Sequence, residues 1–113
     1  MTITYEDFEK VDIRVGKVIQ ISDFPEAKKP AFKLKIDFGP EIGTRVSSVQ
    51  AVGPHTKDEL LGKLVCCVIN FPPKSIAGFQ SEVLTLGFKN NSGLGWVLVS
   101  PLKDSVDPGS KLA

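Results

Sequence analysis

The most intrinsically reactive side chains in this 113-residue sequence are two adjacent cysteines, Cys66 and Cys67, and a single histidine, His55. A cysteine nucleophile needs a lowered pKa and a base beside it. Here the thiols lie in the apolar run from Leu64 to Ile69, whereas His55 lies in a polar loop stretch. If the run is a strand, neighbouring side chains point to opposite faces, which argues against a disulfide between the two cysteines. One histidine and two adjacent cysteines also cannot supply the four convergent ligands of a closed zinc site. The expectation is therefore no catalytic residues, no metal and no cofactor, with inert half-buried thiols in a reducing compartment. An enzyme using Cys66 or Cys67 with His55 is kept only as a third reading.

Two other constellations suit binding rather than bond-making. Lys28, Lys29, Lys33 and Lys35 have no acid between them. They form either a stripe that tracks phosphates or a solvated strand face whose lysines discourage edge pairing. The second constellation runs from Asn70 to Leu84. Adjacent prolines, Pro72 and Pro73, stiffen a loop that holds Phe71, Ile76 and Phe79, apolar side chains that a surface loop normally avoids. Either these fold back to cap the core, or they line an accessible apolar pocket rimmed by Asn70, Lys74 and Ser81.

The elements that must position these residues are short and β-like. Hydrophobic residues make up 42% of the chain and charged residues 24%, a mix that folds as one domain over residues 1–113. Fourteen Lys plus Arg against thirteen Asp plus Glu leave a formal net charge of +1, short of the footprint of a dedicated nucleic-acid binder. The longest apolar run is far below the ~20 residues needed to cross a bilayer. The first residues are acidic where a secretory signal carries positive charge, so a cytoplasmic protein without membrane insertion is expected.

Residues 1–10 predict one helical turn over Tyr5 to Lys10, with Thr4 as N-cap and Asp7 completing a capping box. Strands are predicted over residues 11–21, with a bulge or bend at Gly16, over 31–38, over 44–52 with Val46 facing inward beside Ser48 and Gln50, over 63–70 and over 82–88. The plainest is Phe32-Lys33-Leu34-Lys35-Ile36-Asp37-Phe38, where even positions are apolar and odd ones charged. A short helix is expected over residues 55–61, a loop over 71–79, and a hairpin turn at 90–93 leading into Trp96 to Val99. Five strands with a helix between the third and fourth predict an all-β, five-stranded OB-fold Greek-key barrel with short helices and terminal extensions. An immunoglobulin-like sandwich ranks second, since it wants about seven strands and no helix at that point.

The segment Asn70, Pro73, Lys74, Gly78, Ser81 and Glu82 resembles the signature of the tRNA-binding OB domains attached to some aminoacyl-tRNA synthetases and found as free-standing dimers. The likeness extends upstream through Asp12 to Val18, Pro25 to Lys28 and Leu34 to Asp37. Within that family, Asn-Phe-Pro-Pro-Lys followed by Ile-Ala-Gly-Phe and Ser-Glu-Val-Leu is similar to the CsaA-type secretion chaperones. Where tRNA binders carry further basic residues and Gly-Met, this sequence has Ser75, Ala77, Val83 and Leu84.

The resemblance implies a cytosolic homodimer that holds unfolded preproteins and passes them to the SecA translocation motor. Phe71, Ile76 and Phe79 would then give contact area, Asn70 and Ser81 would bond peptide backbone, and Lys74 would sit at the rim. The alternative is tRNA binding through Arg14, Lys17, Lys28, Lys33 and Lys35. Apolar residues also remain outside the five strands, at Ile3, Tyr5 and Phe8 and from Leu94 to Leu112. The C-terminal extension, residues 89–113, is therefore expected in a symmetric dimer interface.

Overall fold

The computed structural model describes residues 1–113. Its framework follows from strand β2, Phe32–Asp37, which lies between β1, Ile13–Asp23, and β3, Thr44–Val49, antiparallel to both. Phe32, Leu34 and Ile36, with Phe38 just beyond, are buried in the core, while Lys33 and Lys35 take the outer face. Residues directly opposite across an antiparallel pair share a face. Leu34 pairs with Ser47 and Phe32 with Val49, so Ser47 and Val49 go inward. This corrects the expected parity of the third strand, since Val46 pairs with Lys35 and Ser48 with Lys33 on the outer face.

The first strand has the expected length but lies two residues further on, so that it includes Ser22 and Asp23, which the sequence assigned to a loop. Its first half pairs with β4, Leu64–Val68, and its second half with β2, so it bends between two partners. The irregularity falls between Val18 and Gln20, not at Gly16. Gly16 serves packing instead, because a Cβ there would overlap Ile36 Cγ2 and lie 2.7 Å from Phe38 Cε1. The missing side chain lets two core residues pass directly over the backbone at Gly16.

Three short helices fill the corners. Helix α1, Tyr5–Glu9, carries the predicted capping box between Thr4 and Asp7. Helix α2, Gly39–Ile42, occupies the turn after β2. Helix α3, Lys57–Leu60, lies between β3 and β4, with the Thr56 hydroxyl accepting from the Glu59 N–H and Leu60 buried in the core cluster. No helix is long and apolar enough to cross a membrane.

Two segments depart from the sequence reading. Residues expected as a loop form a hairpin, β5 Lys74–Ile76 with β6 Phe79–Ser81, around a two-residue turn in which Ala77 and Gly78 both have positive φ. The predicted fifth strand is split. Its first part, β7 Leu84–Thr85, pairs with β4, and its second, β8 Gly87–Lys89, pairs with β9, Trp96–Leu98. The change of partner at Leu86 sends the chain out of the five-stranded sheet, whose order is β3-β2-β1-β4-β7.

The sheet curls until β3 meets the chain just before β7. There the Glu82 N–H donates to the Val46 carbonyl at 2.9 Å, its carboxylate accepts from the Val46 N–H at 3.0 Å, and the Ser81 hydroxyl accepts from the Ser48 N–H at 3.0 Å. The result is a nearly closed antiparallel barrel of the OB type. The last residues lie along the first half of β1, where Gly109 N–H donates to Val15 O, Ser110 O accepts from Val15 N–H, and Leu112 N–H donates to Ile13 O.

Replacing Gly16 with alanine forces Ile36 and Phe38 to move. The expected loss is ~1–3 kcal/mol, the usual cost of overpacking a filled core. Urea unfolding should show a lower midpoint with an unchanged slope.

Candidate binding cleft

The two hairpins that stand outside the five-stranded sheet wall a cavity of about 1200 Å³. Ala31, Val49, Val83 and Leu98 contribute apolar surface to it. Lys74, Ser75, Ile76 and Ala77 of the β5–β6 hairpin and Gly87 and Trp96 of the β8–β9 hairpin also line it, as do Phe71 and Pro72. Glu26, Lys28 and Lys29 add to the lining from the loop before β2. Such a cleft can hold an extended apolar chain, with lysines and the carboxylates of Glu26 and Glu82 among its polar residues.

Of the residues proposed from sequence to contact peptide, Phe71, Lys74, Ile76 and Ser81 line this cavity. Phe71 is 52% exposed, unusual for a side chain of its size and apolarity. Ser81 is buried, and its hydroxyl already serves the Ser48 N–H. Asn70 is not among the lining residues. Its side-chain carbonyl accepts from the Asp12 N–H at 3.0 Å and its amide donates to the Lys10 carbonyl at 2.7 Å, tying the N-terminal segment to the chain after β4. Phe79 lies against Phe24, with ring centroids 5.5 Å apart and planes at 68°. The Lys33 ammonium is 4.6 Å from the Phe24 centroid and 5.0 Å from that of Phe79.

The basic residues are spread over several surfaces. Lys28 lines the large cavity. Lys33 and Lys35 line a separate groove of about 230 Å³ with Gln20, Ser22 and Phe79. Arg14 and Lys17 line neither. The Arg14 guanidinium donates to the Asp12 carboxylate at 2.6 Å and to the Gly109 carbonyl at 3.0 Å, pinning the C-terminal segment. The bond to Asp12 raises the arginine's pKa further.

Trp96, Leu98, Glu26 and Val83 were not assigned to the site from sequence. The signal for Trp96 was present, since it is the only tryptophan, but its position after the last barrel strand pointed to a terminal layer. Behind the cavity wall, the Thr85 hydroxyl donates to Ser47 Oγ at 2.8 Å and Ser47 donates to the Val83 carbonyl at 3.1 Å. This relay satisfies a fully buried serine where the sequence pattern expected an outward residue.

The reactive side chains have separate partners. His55 Nε2 lies 3.1 Å from the Leu98 backbone N–H, a group that can only donate. Nε2 therefore accepts, and Nδ1 carries the proton toward the Glu59 carboxylate. Cys67 is fully buried, with its sulfur 3.5 Å from Thr85 Oγ1. Burial pushes its pKa up to about 12, and burial raises that of the half-buried Cys66 as well. A nucleophilic thiol requires the opposite shift.

The sequence matches the family model described as "Putative tRNA binding domain" over residues 13–111. It is 40% identical over 97% of its length to the methionine–tRNA ligase of Bacteroides fragilis, but spans only 16% of that protein. The structure is similar to that of the CsaA chaperone protein from Picrophilus torridus, with a TM-score of 0.90 and 52% identity, covering 99% of this chain and 100% of that one. It is also similar to chaperone CsaA of Bacillus anthracis str. Ames, with a TM-score of 0.91 and 40% identity over 100% of both chains.

The raised Cys67 pKa sets a pH dependence. Below pH 9 both the folded and unfolded chains keep this proton. Between an ordinary thiol's 9.0 and about 12 the unfolded chain loses it first, so stability falls as pH rises through that window. Thermal midpoints measured from pH 8 to 11 should fall more steeply for the wild type than for Cys67→Ala.

Proposed function

The chain belongs to the tRNA-binding domain family, and from that premise we propose that it is a noncatalytic binding protein, a CsaA-type chaperone that holds unfolded preproteins for export. The observation that carries this reading is the cleft between the two hairpins, with its apolar lining and the exposed Phe71 and Trp96. Holding a client needs an accessible apolar surface and no covalent step. The raised thiol pKa values and the separate engagement of His55 favour the same reading over cysteine chemistry. In this proposal the protein works in the cytoplasm and delivers its clients to the SecA motor.

Phe71, Ile76, Lys74 and Trp96 form the client surface, with Lys28, Lys29 and Glu26 lining the same cavity. Asn70 and Ser81 support it through the bonds they make to their own chain. Phe79 acts from behind, through Phe24 and Lys33.

A homodimer is part of the proposal. Ile3, Tyr5, Leu102, Val106 and Leu112 are exposed although both ends of the chain are bonded into its own fold. A two-fold interface built from these ends buries such residues in matching pairs. It also places two clefts on one particle, which raises avidity for a long client. The second reading is tRNA binding. It is supported by the family model and by Lys33 and Lys35 on the outer face of β2, with Arg14, Lys17 and Lys28 as further candidates.

Trp96 makes the client test direct. Titration with a reduced, unfolded polypeptide should shift its emission, and Phe71→Ala should weaken binding by about 5-fold or more with little loss of stability, as expected for an exposed aromatic anchor. Unchanged emission and affinity would remove the cleft assignment. For the tRNA reading, the slope of log affinity against log salt should fall by about 1.5 when Lys28 and Lys35 are both changed to glutamine.

Sedimentation equilibrium at micromolar concentration should return twice the 12.2 kDa chain mass. Removal of residues 1–8 should shift the equilibrium toward monomer. A compact monomer for the intact chain would falsify the dimer.

A further inference from the structure

Between the large cavity and the smaller groove stands the β5–β6 hairpin, whose Lys74 to Ala77 line the first and whose Phe79 lines the second. It forms its own two-stranded sheet. Its base is tied to β3 by the bond from the Ser48 N–H to the Ser81 hydroxyl. Near its tip the contact with the barrel is made by Phe79, which follows the Ala77–Gly78 turn.

Phe79 meets one fixed and one flexible partner. Phe24 is fixed, being buried, with its N–H donating to the Ala31 carbonyl and its own carbonyl accepting from the Ala27 N–H. Lys33 is flexible, a long side chain on the outer face of β2 opposite Ser22 and Ser48. Its ammonium contacts both rings, one from the barrel and one from the hairpin. The ion pairs of the structure involve Lys10, Arg14 and Lys57, and no carboxylate pairs with Lys33. Lys33 is also among the residues that line the small groove, with Lys35, Gln20 and Ser22.

We propose that Lys33 is a positioning residue for the large cavity: its ammonium latches the β5–β6 hairpin to Phe24, and a polyphosphate anion that draws it off the rings loosens that wall. The inference rests on the reading of the cavity as a site for apolar chain segments. A phosphate oxygen offers the ammonium a charge-assisted hydrogen bond, which displaces a partly exposed cation–π contact. Lys33 cannot serve both partners at once. Polyanion binding at the groove and apolar-segment binding in the cavity are therefore antagonistic, and linkage makes the antagonism reciprocal.

The test uses the intact protein and three probes at matched ionic strength. A fluorescein-labelled peptide of alternating leucine and serine reports the cavity, while inorganic tripolyphosphate and a twelve-residue oligouridylate present phosphates free and on a nucleic-acid backbone. Saturating polyanion should raise the peptide Kd about 5-fold in the wild type. Lys33→Met should abolish that response and speed amide hydrogen exchange across residues 74–81. Lys33→Arg, which keeps a cation over the rings, should restore both properties.

A response to both polyanions supports phosphate charge as the trigger, and a response to oligouridylate alone supports the latch with an RNA backbone as its natural key. Simultaneous binding of peptide and polyanion without mutual effect would overturn the coupling. Unchanged hairpin exchange in Lys33→Met would overturn the latch. Failure of the peptide to bind would defeat the cavity reading, and hairpin exchange would still decide the latch.

Discussion

A sheet that curls on itself must satisfy the hydrogen-bonding groups of its last edge, and in this barrel that demand falls on two residues, Ser81 and Glu82. An unpaired strand edge buried against other chain is costly, and one open to solvent invites pairing with other molecules. Ser81 meets the Ser48 N–H, and Glu82 meets both polar backbone groups of Val46, one through its carboxylate and one through its own N–H. Side chains thus complete what a regular strand pairing would otherwise provide. Once this seam is closed, Val83 is held inside and β7 is delivered to its place beside β4.

The seam also divides labour within the Asn-to-Glu segment that resembles a family signature. Asn70 anchors the segment after α1, while Ser81 and Glu82 close the barrel. The residues between them form a hairpin that leaves the sheet and walls the cleft. A stretch whose two ends bear architectural duties can vary in the middle without opening the barrel. That is the physical setting in which one fold serves different binding partners, because Lys74 to Ala77 line the cleft without taking part in the barrel's closure, whereas Ser81 and Glu82 do both.

The chain ends show the same separation of backbone from side chain. Gly109 to Leu112 satisfy the half of β1 that β2 has left, through backbone bonds, and at Gly109 the positive φ and the close approach of the Phe38 carbonyl require glycine. Arg14 adds a side-chain tie to Gly109. The side chains of Leu102, Val106 and Leu112 stay exposed throughout, so docking of the tail does not explain its apolar composition.

The sequence by itself determined much of the fold because several of its signals are local. The alternation of Phe32 to Phe38 specified both faces of β2, the Thr4 and Asp7 spacing specified the capping box, and the adjacency of Cys66 and Cys67 turned the two thiols to opposite faces, although Cys67 is fully buried where half-burial was expected. What only tertiary structure decided depended on partners remote in the chain. Around β3, neither Val46-Ser48-Gln50 nor Ser47-Val49-Ala51 declares its face, and the choice came from Leu34 pairing with Ser47, whose hydroxyl then found Val83. The roles of Asn70 and Phe79 likewise rest on Asp12, Lys10, Phe24 and Lys33, residues more than forty positions away in sequence. A side chain's type fixes which bonds it can make, but whether it faces a ligand or its own backbone is settled by which distant groups folding brings within hydrogen-bonding or van der Waals reach.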